Sequence, residues 1–179
     1  MTKELQSEKK RKILAQRAKI LARETDQTQA AEESIEVIEF HLAHEKYAIE
    51  MVYLREVYSL KELTPLPGAP SFVLGIINVR GQIVSVLDIK RFFNLPEKGL
   101  ASFNKVLVLD LLGLEIGILT DDIVGNRAIP ISAIQPPLPT LTGISGEYLK
   151  GVTSEPLIIL DMAKIGADKR IIVNDQVGF

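Results

Sequence analysis

The chain has 179 residues, no cysteine and a formal net charge of −2 at pH 7. These bulk properties exclude disulfides and thiolate chemistry, and they provide no overall basic field for nucleic acid. The length suffices for one compact domain or two small ones. The lack of cysteine fits a reducing cytoplasm, so we expect a cytoplasmic protein. We also expect no direct membrane insertion, because no apolar run approaches the roughly 20 residues of a membrane span.

The first predicted element is a helix within residues 4–23, which contain no Gly or Pro and are rich in good helix formers. Leu14 and Leu21 lie on one face of this helix. The apolar stripe is thin, so the helix either packs on its own domain or acts as a separate arm for a partner. Residues 25–33 have the composition of a linker. We therefore assign residues 1–34 to a helical N-terminal extension and linker.

Short strands dominate the sequence that follows. Residues 35–42 predict a strand that turns back through a second strand at residues 47–49. Residues 50–58 predict a short helical turn followed by another strand. Residues 63–70 contain three prolines, which favour an extended connector. This part of the chain therefore has the pattern of a β-rich domain.

Residues 72–88 form the most informative segment. Two apolar, β-branched runs flank a polar break of Asn78, Arg80, Gly81 and Gln82, which predicts a β-hairpin with Gly81 in its turn. Arg80 then lies at the hairpin tip, outside any core. Its planar fork of five donors suits the docking of a partner, although a local carboxylate could also pair with it. We interpret the chain as a binding module.

The second half of the chain repeats this plan. Residues 106–111, a turn at Gly113 and residues 115–119 echo the first hairpin, and residues 75–88 align with residues 151–161. Two copies of one β unit predict two small barrels packed together, because closing a sheet removes its exposed edges. The expected fold class is mainly β.

The sequence contains no evident catalytic constellation. His41 and His44 are its two histidines, and they have no third ligand nearby, so we interpret them as a chance surface pair. Asp121 and Asp122 follow a predicted strand, which favours a turn role. The glycines do not form a phosphate-binding pattern. We therefore expect no enzymatic activity, no metal site and no cofactor.

Four ordered blocks of this sequence resemble the CheW family, the coupling proteins of bacterial chemosensory arrays. The resemblance runs from about residue 36 to residue 165, which implies one CheW-like domain at residues 35–165 and a C-terminal tail at residues 166–179. It also implies two SH3-like five-stranded barrels that share an apolar seam. The blocks are Tyr47-Ala48-Ile49 with Leu54-Arg55-Glu56-Val57, the proline-rich connector 64–70, Gly75-Ile76-Ile77-Asn78-Val79-Arg80-Gly81 with the strand to Asp88, and the strand pair within residues 148–161.

The resemblance implies a non-enzymatic adaptor that couples chemoreceptor tips to the regulatory domain of the histidine kinase CheA. The implied receptor-binding residues are Arg80, Asn78, Gly81, Glu56, Val106 and Gly117. The implied kinase-binding residues are Leu54, Val57 and Gly75. For the apolar and small residues, the competing interpretation is that they serve only in packing. For Glu56, it is that the residue lies on a solvated face of the domain. The alternative function is a generic SH3-like module that binds peptide or nucleic acid.

Overall fold

The computed structural model describes residues 33–43, 45–95, 105–137 and 146–171. The predicted helix within residues 4–23, most of the predicted linker, His44 and the end of the predicted tail lie outside these residues. The described residues from Ser34 onward form one compact unit.

The described residues form ten strands, two short α-helices and three single 3₁₀ turns, so the mainly β prediction is confirmed. The strands are β1 (Ser34–Leu42), β2 (Glu45–Glu50), β3 (Leu54–Ser59), β4 (Val73–Val79), β5 (Gln82–Leu87), β6 (Lys105–Leu111), β7 (Leu114–Thr120), β8 (Asp122–Pro130), β9 (Leu149–Val152) and β10 (Leu157–Leu160). The helices are α1 (Ile89–Phe92) and α2 (Met162–Gly166), and the 3₁₀ turns are Met51–Tyr53, Ile131–Ala133 and Gly146–Tyr148.

The strands form two five-stranded sheets, each of which contains strands from both halves of the chain. Sheet A has the order β8-β1-β2-β10-β9, and sheet B has the order β3-β6-β7-β5-β4. Hairpin β1–β2 therefore joins the last three strands, while hairpin β6–β7 joins β3, β4 and β5. These connections are made by the antiparallel pairs β1–β8 and β3–β6 and by the parallel pairs β2–β10 and β5–β7.

The expected closed barrels do not form. In sheet B the segment after β3 reaches β4 through the single bridge Thr64–Ile76, and in sheet A the segment after β8 reaches β9 through the bridge Gln135–Val152. Proline follows both Thr64 and Gln135 in the sequence. Neither bridge extends into a ladder, so both sheets stay open.

The buried apolar residues form three clusters. Strand β6 contributes side chains to two of these clusters, one on each face of the strand. Leu107, Leu109 and Leu111 belong to the largest cluster, the seam core, which also contains sheet A residues. Val106 and Val108 belong to a second cluster made of sheet B residues alone, here called the inner core of sheet B. Because side chains alternate along a strand, both faces of β6 are buried.

The segment that follows α2 packs onto the domain, although it falls within the predicted C-terminal tail. The guanidinium of Arg170 lies 4.2 Å from the ring centroid of Phe92. Its Nη2 is 2.8 Å from an Asp168 carboxylate oxygen, and Ile171 is buried in the seam core. A cation over an aromatic face stabilises such a contact, so residues 168–171 form an ordered part of the fold.

Candidate functional site

The β4–β5 hairpin ends in a two-residue turn formed by Arg80 and Gly81. Their φ angles are +52° and +89°, and two positive values are typical of a type I′ hairpin turn. The side-chain oxygen of Asn78 accepts a hydrogen bond from the Gly81 amide at 2.8 Å. The left-handed region costs a residue with a Cβ about 1–2 kcal/mol of conformational free energy. The hydrogen bond from the Gly81 amide to Asn78 helps to hold Arg80 in that region. The predicted hairpin thus presents Arg80 at its tip.

Arg80 is both paired and accessible. Its Nη2 lies 3.0 Å from Glu56 Oε2, and its side chain is 82% exposed. The two interpretations of the sequence are therefore compatible: a local carboxylate orients the guanidinium, and most of its donors still face solvent. An exposed ion pair contributes about 0–1 kcal/mol, so a partner could replace Glu56 at little cost.

A second turn of the same design lies at the same end of sheet B. Leu112 and Gly113 have φ angles of +58° and +97°, and Asp110 Oδ1 accepts from the Gly113 amide at 2.7 Å. Leu112 is 97% exposed. Because β5 and β7 run parallel as neighbours, the two turns lie at the same end of the sheet, which we call the tip end.

Sequence reasoning missed two exposed apolar residues at the tip end, Leu112 and Ile83. Ile83 directly follows Gln82 on β5, pairs with Asn78 on β4 and is 62% exposed. Within an apolar strand it is indistinguishable from a core residue. The signal for Leu112 was available, since Asp110-Leu111-Leu112-Gly113 repeats the spacing of Asn78-Val79-Arg80-Gly81.

Val106 and Gly117 do not lie with the exposed residues. Val106 is fully buried in the inner core of sheet B. A Cβ on Gly117 would lie 2.6 Å from Val106 Cγ1, well inside contact distance. These two residues pack against each other, so any part they take in partner binding acts through the packing of sheet B.

The three residues implied in kinase binding occupy different environments. Val57 is 42% exposed on β3, whereas Leu54 is half-buried against the seam core. Gly75 is buried, and a Cβ there would lie 2.2 Å from the carbonyl oxygen of Thr64. Gly75 thus permits the bridge between Thr64 and Ile76. Of the three, Val57 has the exposure that a contact residue needs.

The predicted turn acids Asp121 and Asp122 have separate environments. Asp121 Oδ1 lies 2.9 Å from Lys90 Nζ, with 7% of the lysine side chain and 12% of the aspartate side chain exposed. Its Oδ2 accepts from the Ala43 amide at 2.6 Å. Asp122 is exposed at the start of β8. Asp121 therefore links α1 to the β1–β2 turn.

Across the described part of the chain, no group of three or more His, Cys, Asp or Glu residues could hold a metal ion. None of the described helices is long and apolar enough to cross a membrane. The surface of interest is the tip end of sheet B, where the exposed guanidinium of Arg80 lies at the same end as exposed apolar side chains.

Comparisons with known proteins agree with this organisation. The chemotaxis protein CheW of Treponema pallidum is 30% identical over 147 residues, covering 78% of this chain and 86% of the relative. Protein FrzA of Myxococcus xanthus is 32% identical over 115 residues, covering 62% of this chain and 71% of the relative. The crystal structure of the scaffolding protein TtCheW from Thermoanaerobacter tengcongensis superimposes with a TM-score of 0.68 at 26% identity, covering 79% of this chain and 94% of that one. The family model for the CheW-like domain matches residues 36–170, so the chain belongs to the CheW family.

Proposed function

We propose that this chain is a non-enzymatic coupling adaptor of a chemosensory array in the cytoplasm. It would link the cytoplasmic tips of chemoreceptors to the regulatory domain of a CheA-type histidine kinase. Relatives named as chemotaxis proteins and a solved neighbour named as a scaffolding protein support this proposal. Each sheet, with its single bridge, would be the counterpart of one SH3-like unit of the family.

The observation that carries the proposal is the exposed Arg80 turn. Asn78 and Gly81 build that turn, and Glu56 orients the guanidinium. A receptor tip with an acidic side chain could take over the contact from Glu56 and lay an apolar side chain against Ile83. The planar guanidinium can bind a carboxylate with two parallel hydrogen bonds.

The proposed kinase-binding surface is centred on Val57. This residue lies on β3, an outer strand of sheet B, with Leu54 packed beneath the start of the same strand. Gly75 supports this surface from within, because it permits the bridge that holds the connector after β3. The apolar contact at Val57 and the charged contact at Arg80 would give the two partners separate surfaces.

The test measures binding of two variants to a receptor tip fragment and to a kinase regulatory domain. Arg80→Glu should weaken receptor binding by about 2–5 kcal/mol if the contact is buried in the complex, and it should spare kinase binding. Val57→Arg should have the opposite selectivity, because it places a charge in an apolar contact.

Two controls separate binding from folding. Lys61→Glu makes the same charge change as Arg80→Glu at another exposed position, and both partners should still bind. Melting temperatures should stay near the wild-type value, since surface substitutions usually stay within about 0.5 kcal/mol. If the folded Arg80→Glu protein binds the receptor tip normally, Arg80 is not part of the receptor site, and if the wild-type chain binds neither partner, the adaptor function is wrong.

A further inference from the structure

The side chain of Arg55 lies between the two turns at the tip end of sheet B. Its Nη1 donates to Gln82 Oε1 at 3.5 Å, and its Nε lies 3.9 Å from Asp110 Oδ2. Nη1 also forms an ion pair with Glu115. The side chain is about half exposed. The guanidinium thus contacts one amide and two carboxylates from three different strands of sheet B.

Each of these contacts lies beside one of the turns. Gln82 immediately follows the turn formed by Arg80 and Gly81. Asp110 accepts from the Gly113 amide through Oδ1 and faces Arg55 through Oδ2, so its two oxygens serve the second turn and the arginine separately. Arg55 therefore connects the two turns of the tip end.

A β-bulge explains how neighbouring residues of β3 reach both turns. Leu54 pairs with Leu109 and Glu56 with Val108, so Arg55 is the extra residue in the ladder. A bulge re-aims the side chain at the irregular position. As a result, Arg55 contacts the residues that flank the turns, while Glu56 binds Arg80 itself.

The charges of this cluster are unequal. The cluster contains two guanidiniums, those of Arg55 and Arg80. It contains three carboxylates, those of Glu56, Asp110 and Glu115. With Arg55 present, Asp110 and Glu115 have a cation of their own. Without it, Asp110 and Glu115 would lose this cation, and Arg80, which is held by one exposed ion pair, could reorient toward them at little cost. A carboxylate that captures Arg80 would compete with a partner for the same donors.

We propose that Arg55 is a positioning residue of the receptor site. It keeps Asp110 and Glu115 engaged, so that Arg80 stays available at the tip of its turn. This inference rests on the proposed function, because it assigns Arg55 a role in the binding that Arg80 carries out. It also predicts a property of the protein alone, namely the environment of the Arg80 guanidinium.

The test is rescue by a second substitution. Arg55→Gln should weaken binding to a receptor tip fragment about three- to tenfold. Arg55→Gln combined with Glu115→Gln should recover at least half of that loss in log units, because one competing carboxylate is gone. Arg55→Lys keeps the charge without the planar fork and should bind within about threefold of wild type. Lys105→Gln removes one charge at the opposite end of sheet B and should change binding less than twofold.

The second readout is the side-chain Nε–Hε NMR signal of Arg80 in the full-length protein without any partner. This signal should shift in Arg55→Gln and return toward its wild-type position in the double variant. A merely structural role of Arg55, in which it offsets the repulsion between the cross-strand neighbours Asp110 and Glu115, would leave the Arg80 signal unmoved. An unmoved Arg80 signal, or a double variant that binds no better than Arg55→Gln, overturns the proposal. If wild type fails to bind the receptor tip, the proposed function is wrong, while the NMR comparison still decides the role of Arg55.

Discussion

Replacement of Asp121 by alanine should destabilise the domain strongly, although sequence reasoning gave this residue only a turn role. The substitution removes a carboxylate partner of buried Lys90 and the acceptor for the Ala43 amide. Breaking a buried ion pair by removing one partner costs about 3–5 kcal/mol. For a protein of this size each kcal/mol shifts the melting temperature by about 2–4 °C. The expected decrease is therefore about 6–20 °C.

The neighbouring Asp122 supplies a matched control for this experiment. Asp122→Ala removes the same charge at an exposed position, so it should change stability by about 0.5 kcal/mol or less. Asp121→Asn keeps a side-chain oxygen that can accept the hydrogen bond from the Ala43 amide. Its loss of stability should therefore lie between those of Asp121→Ala and Asp122→Ala. Urea unfolding of the three variants measures the free energies directly. If Asp121→Ala and Asp122→Ala differ by less than about 1 kcal/mol, the buried pair does not hold the junction between α1 and the β1–β2 turn.

Two further predictions concern packing and pH. Gly117→Ala should lower the free energy of unfolding in urea by about 1–3 kcal/mol, because its Cβ would overlap Val106 Cγ1. Adding Val106→Ala should relieve part of this loss. A double variant that loses more stability than the sum of the losses of the two single variants would contradict the overlap. The hydrogen bond from Arg170 holds the pKa of Asp168 well below its ordinary value, so the ionised carboxylate stabilises the fold above that ordinary pKa. This contribution should be lost as the pH falls below about 4, and an Asp168→Asn protein should show a smaller acid-induced loss of melting temperature than wild type.

The Arg80 hairpin could be predicted because its signal is local. Apolar alternation on both sides of a polar break sets the two strands, and Gly81 provides a residue suited to positive φ. The helix that begins at Ile89 is equally local, since Asp88 accepts hydrogen bonds from the Lys90 and Arg91 amides at its N-terminus. In each case the deciding contacts lie within a few residues of one another in the chain.

The exposure of individual strand residues could not be predicted in this way. Val106 and Ile83 are both β-branched residues in apolar strands, yet one is fully buried and the other is 62% exposed. The difference depends on which strands and which sheet cover each face. Arg55 is a similar case, because its role depends on a bulge and on contacts with Gln82, Asp110 and Glu115, which lie 27 to 60 residues further along the chain.

By itself the sequence determined most of the strands, the hairpins and the repetition of one β unit in the two halves, because these follow from side-chain alternation and turn residues. Strand β8 (Asp122–Pro130) was not predicted. Only the tertiary structure decided that a hairpin from each half of the chain pairs with three strands of the other half. The hairpins β1–β2 and β6–β7 have similar apolar patterns, so neither pattern specifies which three strands it will join. In sheet A the pairing of β1 with β8 and of β2 with β10 makes that choice, and in sheet B the pairing of β6 with β3 and of β7 with β5 makes it. The outcome depends on how well the buried faces of distant strands fit together in the seam core.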